Sequence, residues 1–504
     1  MLVTPSLDAA EAAYAAGRPV LLRATLVADL ETPVAAFLKL RAGREGATFL
    51  LESVEGGAVR GRYSMIGLDP DLVWRCEGGH AERADAPGLD RFVRDDRPPL
   101  ESLRALIAES AIPADPALPP MAAGLFGYLG YDMVREMERL DAPKPDPIGV
   151  PDAILVRPTV MVVFDAVRDE IAVVTPVRPA ADVPARAALE AALTRLERVA
   201  ETLEGPLPVE ARANLAEIPA PEPVSNTAPE AFHAMVARAK DYIAAGDIFQ
   251  VVLSQRFEAP FALPAFALYR SLRRVNPAPF LCYLDFGGFQ IVCSSPEILV
   301  RVRDGQVTIR PIAGTRRRGA TPEEDKALAA ELLADPKERS EHLMLLDLGR
   351  NDVGRVAEIG SVRVTDSFFL EYYSQVMHIV SNVEGRLDPR HDALGALVAG
   401  FPAGTVSGAP KVRAMQIIDE LEREKRGPYA GCIGYFGADG QMDTCIVLRT
   451  AVVKDGRMHV QAGAGIVHDS DPASEQQECV NKAKAQFRAA EEAVRFAAQA
   501  RRGQ

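Results

Sequence analysis

The chain has 504 residues, with 57 lysine and arginine residues against 70 aspartate and glutamate residues and a formal net charge of −13. Its hydrophobic fraction of 48% and charged fraction of 25% are typical of globular proteins and exclude a disordered or fibrous chain. The acidic balance argues against a nucleic-acid partner, because phosphate groups would be repelled. Neither a membrane span nor a secretory signal is predicted, since no long apolar run and no basic-then-apolar start occur.

The six cysteines are scattered and form no CxxC pair. This spacing argues against a zinc ribbon and against a disulfide framework. We therefore predict small, buried and reduced thiols, and a reducing cytoplasm as the compartment.

A proline-rich stretch without aromatic residues, 204–226, is predicted to be a linker. It separates an N-terminal region, residues 1–203, from a C-terminal domain, residues 227–497. A helical pattern precedes the linker at 184–203. After the linker, Thr227, Pro229 and Glu230 form a helix-start signature, and the helical period continues to Gly246.

Both regions are predicted to mix strands and helices. Two β-rich runs surround a polar turn between residues 153 and 177, and Asp-Gly or Gly-Gly pairs at 287–288, 304–305, 439–440 and 455–456 predict tight hairpins. Helices are predicted at 323–335, 338–348, 409–425 and 472–498. Hairpins, rather than the longer βαβ connections, indicate an α+β fold with antiparallel sheets.

No familiar catalytic motif is complete, since a GxSxG elbow, a P-loop and an HExxH pair are all missing. Two pairs of carboxylates three residues apart, Glu338 with Glu341 and Glu475 with Glu478, each share a helix face. A magnesium ion typically takes one or two carboxylates together with water and substrate oxygens. Solvated helix faces explain the same pattern.

Three further patterns suggest a functional site, and each also has an ordinary structural explanation. Gly463, Ala464 and Gly465 end a strand and would let a ligand approach backbone amides, or simply form a bend. Thr405 lies in a stretch of small and hydroxyl residues before a helix, which suits an anion or ordinary capping. His378 follows a β-rich segment and is either functional or a satisfied core histidine.

The C-terminal domain resembles the chorismate-utilising enzymes from Glu230 to about Arg495. The resemblance is carried by SSPEILV, PIAGTRRRG, SEHLMLLDLGRND, VMHIVSNVEG, GTVSGAPKVRAMQIIDELE and QAGAGIVHDSDPASEQQE. The N-terminal region is similar to the regulatory region of anthranilate synthase component I through FLLESVEGGAVRGRYSMIG and GLFGYLGYD. The resemblance implies antiparallel sheets packed face to face with flanking helices, and a tryptophan-sensing N-terminal region.

The same resemblance implies a lyase that aminates chorismate and eliminates pyruvate to give anthranilate, the first committed step of tryptophan biosynthesis. It implies Glu341 and Glu478 as ligands of Mg²⁺, Glu297 as the general acid for the departing C4 hydroxyl, and His378 as the group for pyruvate release. A general acid must be neutral before it reacts, which requires a raised pKa for Glu297. The implied substrate contacts are Gly314, Thr315, Thr405, Tyr429, Arg449, Gly463, Ala464, Gly465 and Lys482.

Two positions distinguish this reaction from those of related enzymes. Gln250 stands where water-adding relatives carry a lysine, and glutamine cannot deprotonate water. Ala313 stands where many aminodeoxychorismate synthases carry a nucleophilic lysine, and alanine cannot attack chorismate. Aminodeoxychorismate synthase and a non-catalytic, tryptophan-sensing scaffold remain the alternatives.

The resemblance also implies partners and feedback inhibition. No HxE follows Cys432, so a separate glutamine amidotransferase subunit is expected to supply ammonia, in a heterotetramer with two copies of each chain. Tryptophan is the implied inhibitor. The residues matched to its site are Leu51, Glu52, Ser53, Pro279, Phe280 and Leu281.

Overall fold

The computed structural model describes residues 2–44, 46–55, 59–141, 144–208, 220–373 and 376–499. Its strands are β1 Val3–Thr4, β2 Val20–Val27, β3 Thr48–Glu55, β4 Val59–Glu77, β5 His80–Asp85, β6 Val93–Arg94, β7 Gly124–Leu129, β8 Ala153–Asp165, β9 Glu170–Val177, β10 Val224–Ser225, β11 Gln250–Pro260, β12 Phe280–Asp285, β13 Gln290–Ser295, β14 Ile298–Arg303, β15 Gln306–Ile309, β16 Ile312–Arg317, β17 Arg363–Tyr372, β18 Val376–Arg386, β19 Gly408–Ala409, β20 Cys432–Gly437, β21 Met442–Ile446, β22 Thr450–Lys454 and β23 Arg457–Ile466. Its helices are α1 Leu7–Ala15, α2 Pro33–Arg41, α3 Pro99–Glu109, α4 Ala185–Glu204, α5 Pro229–Ala244, α6 Ala265–Val275, α7 Pro322–Ala334, α8 Pro336–Gly354, α9 Ala393–Gly400, α10 Lys411–Leu421 and α11 Pro472–Gln499.

The strands pair antiparallel, and strands of the N-terminal region pair directly with strands of the C-terminal domain. Strand β3 pairs with β12, placing Leu51 opposite Cys282. Strand β7 pairs with β20 along its whole length. The α+β fold with antiparallel sheets and flanking helices is confirmed. The division at residues 204–226 stays a prediction, and residues 209–219 of that stretch lie outside the described residues.

Alternate side chains of a strand face opposite sides of its sheet, which places them in two apolar layers. In β12, Cys282 and Leu284 lie in a core cluster that contains no residue of the described α-helices. Leu281 and Tyr283, which alternate with them along the strand, lie in a second cluster that also includes residues of α6 and α11. The sheets therefore pack on each other through one face and against helices through the other.

The predicted hairpins at the Asp-Gly and Gly-Gly pairs are confirmed. Asp304 and Gly305 both have positive φ, 51° and 72°, as do Asp455 and Gly456 at 49° and 71°. Two consecutive residues with positive φ give the backbone twist that a two-residue hairpin requires. Helices α4, α7 and α11 also agree closely with their predicted bounds.

Two local predictions are wrong. The helix predicted at 409–425 is confined to α10, because Glu422 is extended and its carboxylate accepts hydrogen bonds from Ser254 N at 2.7 Å and from Arg426 at 2.6 Å. Thr227 does not cap α5: the residue at the cap is Ala228, and the Thr227 hydroxyl donates to the Asn226 side chain instead. Among the described helices, none is long and apolar enough to span a membrane.

Candidate active site

A cavity of about 460 Å³ opens where β11, β16, β18 and β23 meet helices α8 and α11. Strand β11 pairs with β23, and β16 pairs with β18. The helices contribute carboxylates and lysines, while the strands contribute backbone and buried polar side chains. The cavity is of the size that small-molecule sites commonly have.

The predicted catalytic, metal-binding and substrate-binding residues come together in this cavity, with one exception. Ala464 is fully buried and its methyl group lies in the core cluster, because it alternates with Gly463 and Gly465 along β23. Its backbone contact with substrate stays a prediction. The predicted residues that line the cavity are Glu297, Gly314, Thr315, Glu341, His378, Thr405, Tyr429, Arg449, Gly463, Gly465, Glu478 and Lys482.

Glu297 lies in the bend between β13 and β14 and is only 6% exposed. Burial raises the pKa of its carboxyl group to about 8, although the Thr405 hydroxyl and the nearby charge of Arg449 favour the ionised form. Thr405 donates a hydrogen bond to Glu297 Oε1 at 3.1 Å. At neutral pH the side chain is therefore mostly a neutral acid that can give up a proton.

His378 lies on β18 opposite Thr315 of β16, next to a β-bulge at Gly314. Its Nδ1 is 2.9 Å from the Gly314 carbonyl oxygen, which can only accept, so Nδ1 carries the proton and Nε2 has the lone pair. Burial and the charge of Arg449 lower the pKa of the imidazole to about 4. His378 is therefore neutral and able to accept a proton at Nε2.

Glu297 and His378 thus have pKa values displaced in opposite directions within one cavity. The carboxyl group keeps its proton and the imidazole stays deprotonated at the same pH. Such a separation is the arrangement that acid and base chemistry within one site requires. The Tyr373 ring packs against His378 at 5.5 Å between ring centroids and fixes that side of the imidazole.

One wall of the cavity is formed by Arg449 and the small residues of β23. Arg449 has φ of 49°, a backbone conformation that residues with side chains rarely adopt and that clusters at functional sites. Its guanidinium makes no hydrogen bond or ion pair with the residues that the structure describes, and it lines the cavity. A Cβ on Gly463 would lie 2.8 Å from both Tyr429 Oη and the Leu253 carbonyl oxygen, so the close packing of β23 at this point requires glycine.

A second wall, formed by α8 and α11, carries four glutamates and two lysines. Burial raises the pKa of Glu341, as do the neighbouring charges of Glu338 and Glu478, while the Gln250 amide donates to its Oε1 at 3.1 Å. Glu478 is paired with Lys482 at 2.7 Å. Within the described ranges, no cation lies within ion-pair distance of Glu341. An all-oxygen donor set with uncompensated charge fits a hard divalent cation such as Mg²⁺.

The two positions that distinguish related reactions, Gln250 and Ala313, both line the cavity. Two polar side chains that line the cavity were not considered from the sequence, Lys337 and Gln461. Lys337 is adjacent to Glu338 in α8. Gln461 has the same strand alternation as Gly463 and Gly465, so the period of two along β23 would have indicated it.

A second cavity of about 790 Å³ lies beside the first and is lined by residues matched to tryptophan binding. Leu281 does not line it, because its side chain faces the helix-side core. The Glu52 carboxylate is already held by Arg273 at 2.7 and 2.9 Å and by the Tyr269 hydroxyl at 2.5 Å. The predicted residues that line this cavity are Leu51, Glu52, Ser53, Pro279 and Phe280.

The two cavities share a wall. Pro296, next to Glu297, and Ile312 line both of them. Tyr373 lines the second cavity while its ring packs on His378. Through Pro296 and Tyr373, this shared wall therefore lies next to both Glu297 and His378.

Comparisons with known proteins identify the family of the chain. A family model described as chorismate binding enzyme matches residues 60–488. Anthranilate synthase component 1 from Cereibacter sphaeroides is 56% identical over 501 residues, covering 99% of this chain and all of that relative. The Pseudomonas putida protein of the same name is 49% identical over 467 residues, 92% of this chain and 93% of the relative.

Solved structures show the same fold. Anthranilate synthase component I from Streptococcus pneumoniae TIGR4 superposes with a TM-score of 0.76 at 40% identity, covering 92% of this chain and 99% of that one. The menaquinone-specific isochorismate synthase from Escherichia coli shares the fold at 20% identity, with a TM-score of 0.70 and 94% and 95% coverage. The chain therefore belongs to the chorismate binding enzyme family, within its anthranilate synthase component 1 group.

Proposed function

We propose that the chain converts chorismate and ammonia to anthranilate and pyruvate, with Glu297 as the acid and His378 as the base. The observation that carries this proposal is the pair of oppositely displaced pKa values in one cavity, about 8 for Glu297 and about 4 for His378. The membership of the anthranilate synthase component 1 group supports the choice of substrate.

Chorismate carries two carboxylates, and the cavity has two regions that suit them. The planar Arg449 fork, with Tyr429 and the accessible backbone at Gly463 and Gly465, would bind the enolpyruvyl carboxylate. Glu341 and Glu478 would hold Mg²⁺, which when bound would clamp the ring carboxylate. Gly314, Thr315, Thr405 and Lys482 would orient the ring between these ends.

In the first step, ammonia attacks ring carbon C2 while the C4 hydroxyl departs. Hydroxide is a poor leaving group, so Glu297 would protonate that oxygen as the bond breaks. The buried setting of Glu297 keeps the proton available at neutral pH. The Thr405 hydrogen bond holds the carboxyl group in place and would stabilise the carboxylate that forms.

In the second step, the aminated intermediate loses its C2 proton and the enolpyruvyl group, and the ring becomes aromatic. His378 would accept this proton at Nε2, because Nδ1–H is held by the Gly314 carbonyl. The low pKa of the imidazole keeps that lone pair free at physiological pH. Gln250 and Ala313 supply neither a base for water nor a nucleophile for the ring, which disfavours hydration and aminodeoxychorismate synthesis.

We also propose a partner subunit, an inhibitor and a cellular compartment for the chain. A separate glutamine amidotransferase subunit would supply ammonia, in a heterotetramer of two copies of each component, and the name component 1 of the relatives is consistent with such a partner. Tryptophan would bind the second cavity and inhibit through the shared wall. The reducing cytoplasm is supported by six cysteines that are all buried free thiols.

The test is a product assay on the purified chain with chorismate, Mg²⁺ and an ammonium salt at alkaline pH. Anthranilate is read by fluorescence and pyruvate by a coupled dehydrogenase, and the expected ratio of the products is one to one. Replacing His378 with asparagine should abolish anthranilate, whereas the matched change at the exposed His391 should not. Chorismate consumed without pyruvate would favour aminodeoxychorismate synthase, and tryptophan binding without turnover would favour the scaffold.

A further inference from the structure

Three cysteines from separate strands converge in the core between the sheets. Cys282 and Cys293 lie directly opposite each other in the β12–β13 pair, and Cys445 lies on β21. Their sulfur atoms all lie within 4.8 Å of one another. In the part of the chain that the structure describes, this is the only group of three or more histidine, cysteine or acidic side chains with ligand atoms so close together.

The geometry of the triad is close to that of a ligand set. Three sulfurs bound to one centre at about 2.3 Å are separated by about 4 Å or slightly less. The sulfurs therefore need to move by less than about 1 Å to share a central atom, which side-chain rotation can supply. None of the three is in a disulfide.

The triad is also reachable. Cys282 and Cys445 line the second cavity, although both side chains are almost fully buried, while Cys293 is completely buried behind them. A small solute that enters the cavity would contact the thiols of Cys282 and Cys445 first and that of Cys293 last. The surroundings are mainly apolar, with Leu51 and Ile291 in the same core cluster, and the polar exceptions beside Cys293 are neutral groups, the Leu448 carbonyl oxygen at 3.8 Å and the Thr450 hydroxyl.

The apolar surroundings determine which ligand fits. Thiols select soft ions over hard ones. A divalent ion with three thiolates would leave one net negative charge buried, which is costly without a partner. A trivalent centre with three thiolates is neutral.

We propose that Cys282, Cys293 and Cys445 form a trithiol site that binds a soft trivalent centre, represented by arsenic(III), as a neutral adduct. With arsenous acid, three As–O bonds break and three As–S bonds form. The three thiol protons leave with the three hydroxyl groups as water. Arsenic stays in the +3 state, so no oxidant or reductant is needed.

The test measures binding of arsenous acid to the reduced full-length chain, with arsenic counted by mass spectrometry after dialysis. We expect one arsenic per chain and a shell of three sulfurs in arsenic X-ray absorption, a readout that needs no variant. Cys445→Ala should weaken binding by more than about 100-fold, because even indirect changes around a ligand cost 10–100-fold. Cys76→Ala, at a buried cysteine outside the triad, is the matched control and should bind normally.

Cadmium chloride alone provides the comparison for charge. The neutral-adduct argument predicts that Cd²⁺ binds the triad more weakly than arsenous acid. Equal or tighter Cd²⁺ binding at the same sulfurs would overturn the trivalent assignment. A failure of arsenic to bind, a shell with fewer than three sulfurs, or binding unaffected by Cys445→Ala would mean that the triad is only apolar packing.

Discussion

Replacing Glu297 with glutamine removes the ionisable carboxyl proton while keeping the size of the side chain and a partner for Thr405. General acids contribute roughly 10²–10⁴-fold to rate, so kcat/KM should fall by that factor, or about 3 to 5 kcal/mol of transition-state stabilisation. In the unmodified chain, activity should decline as pH rises through about 8, where the acid ionises. This alkaline decline should disappear in Glu297→Gln.

The same substitution should increase stability, and the sign follows from the raised pKa. Below about pH 4.5 both folded and unfolded chains keep the proton, so the titration has no effect. Between 4.5 and about 8 the unfolded chain ionises while the folded chain does not, so stability is lost as pH rises. Over that interval the folded state loses at most about 5 kcal/mol of stability relative to the unfolded state. Glutamine does not titrate, so the variant does not lose this stability.

Two measurements check this prediction together: the pH profile of kcat/KM with saturating ammonium salt, and urea unfolding at pH 4.5 and 8.5. Glu170→Gln, at a partly buried glutamate outside the cavity, is the control and should change neither. Glu297→Gln should gain stability at pH 8.5 only. A variant with full activity, an unchanged alkaline decline, or equal stability differences at both pH values would refute the assignment of Glu297 as a buried, neutral acid.

The remaining predictions concern the proposed base, the cavity wall that contains Arg449 and Gly463, and the proposed Mg²⁺ site. His378→Asn should let chorismate be consumed while an aminated intermediate accumulates, since only the elimination needs this base; mass spectrometry of the quenched reaction would detect it, and normal anthranilate formation would contradict it. Arg449→Lys should raise KM for chorismate at least about tenfold, because lysine cannot provide the bidentate fork, and steady-state kinetics measure this directly. Gly463→Ala should weaken chorismate binding and lower stability together, because its Cβ would lie 2.8 Å from both Tyr429 Oη and the Leu253 carbonyl oxygen, so β11 and β23 must shift locally; calorimetry with chorismate and thermal unfolding measure the two effects, and unchanged binding would contradict the prediction. Chelation of Mg²⁺ should stop turnover, and Glu341→Gln should raise the Mg²⁺ concentration needed for half-maximal activity; an unchanged requirement would remove Glu341 from the metal site.

Much of the local structure is predictable because its causes are local. Asp304 with Gly305 and Asp455 with Gly456 define hairpins through backbone conformations that few other residue pairs adopt. The predicted helix 409–425 extends past the end of α10 at Leu421, because Glu422 is drawn out of the helix by a hydrogen bond from Ser254 N, which lies 168 residues away in sequence. Tertiary hydrogen bonds of this kind have no signature in periodicity.

The site itself was predictable at the level of motifs, and less so at the level of side-chain direction. Ala464 and Leu281 belong to matched segments, yet strand alternation turns their side chains into the core. The meeting of Cys282, Cys293 and Cys445 depends on the order of strands across the sheets. The spacing of these cysteines along the chain does not indicate that they meet.

The pairing of β3 with β12 and of β7 with β20 has a consequence for the integrity of the molecule. The two regions are held together by rows of backbone hydrogen bonds, so covalent continuity through residues 204–226 is not what joins them. Two polypeptides cut within that stretch and produced together should assemble into one particle. Either polypeptide alone would be left with unpaired strand edges, the feature that promotes aggregation, so each region depends on the other as a folding template.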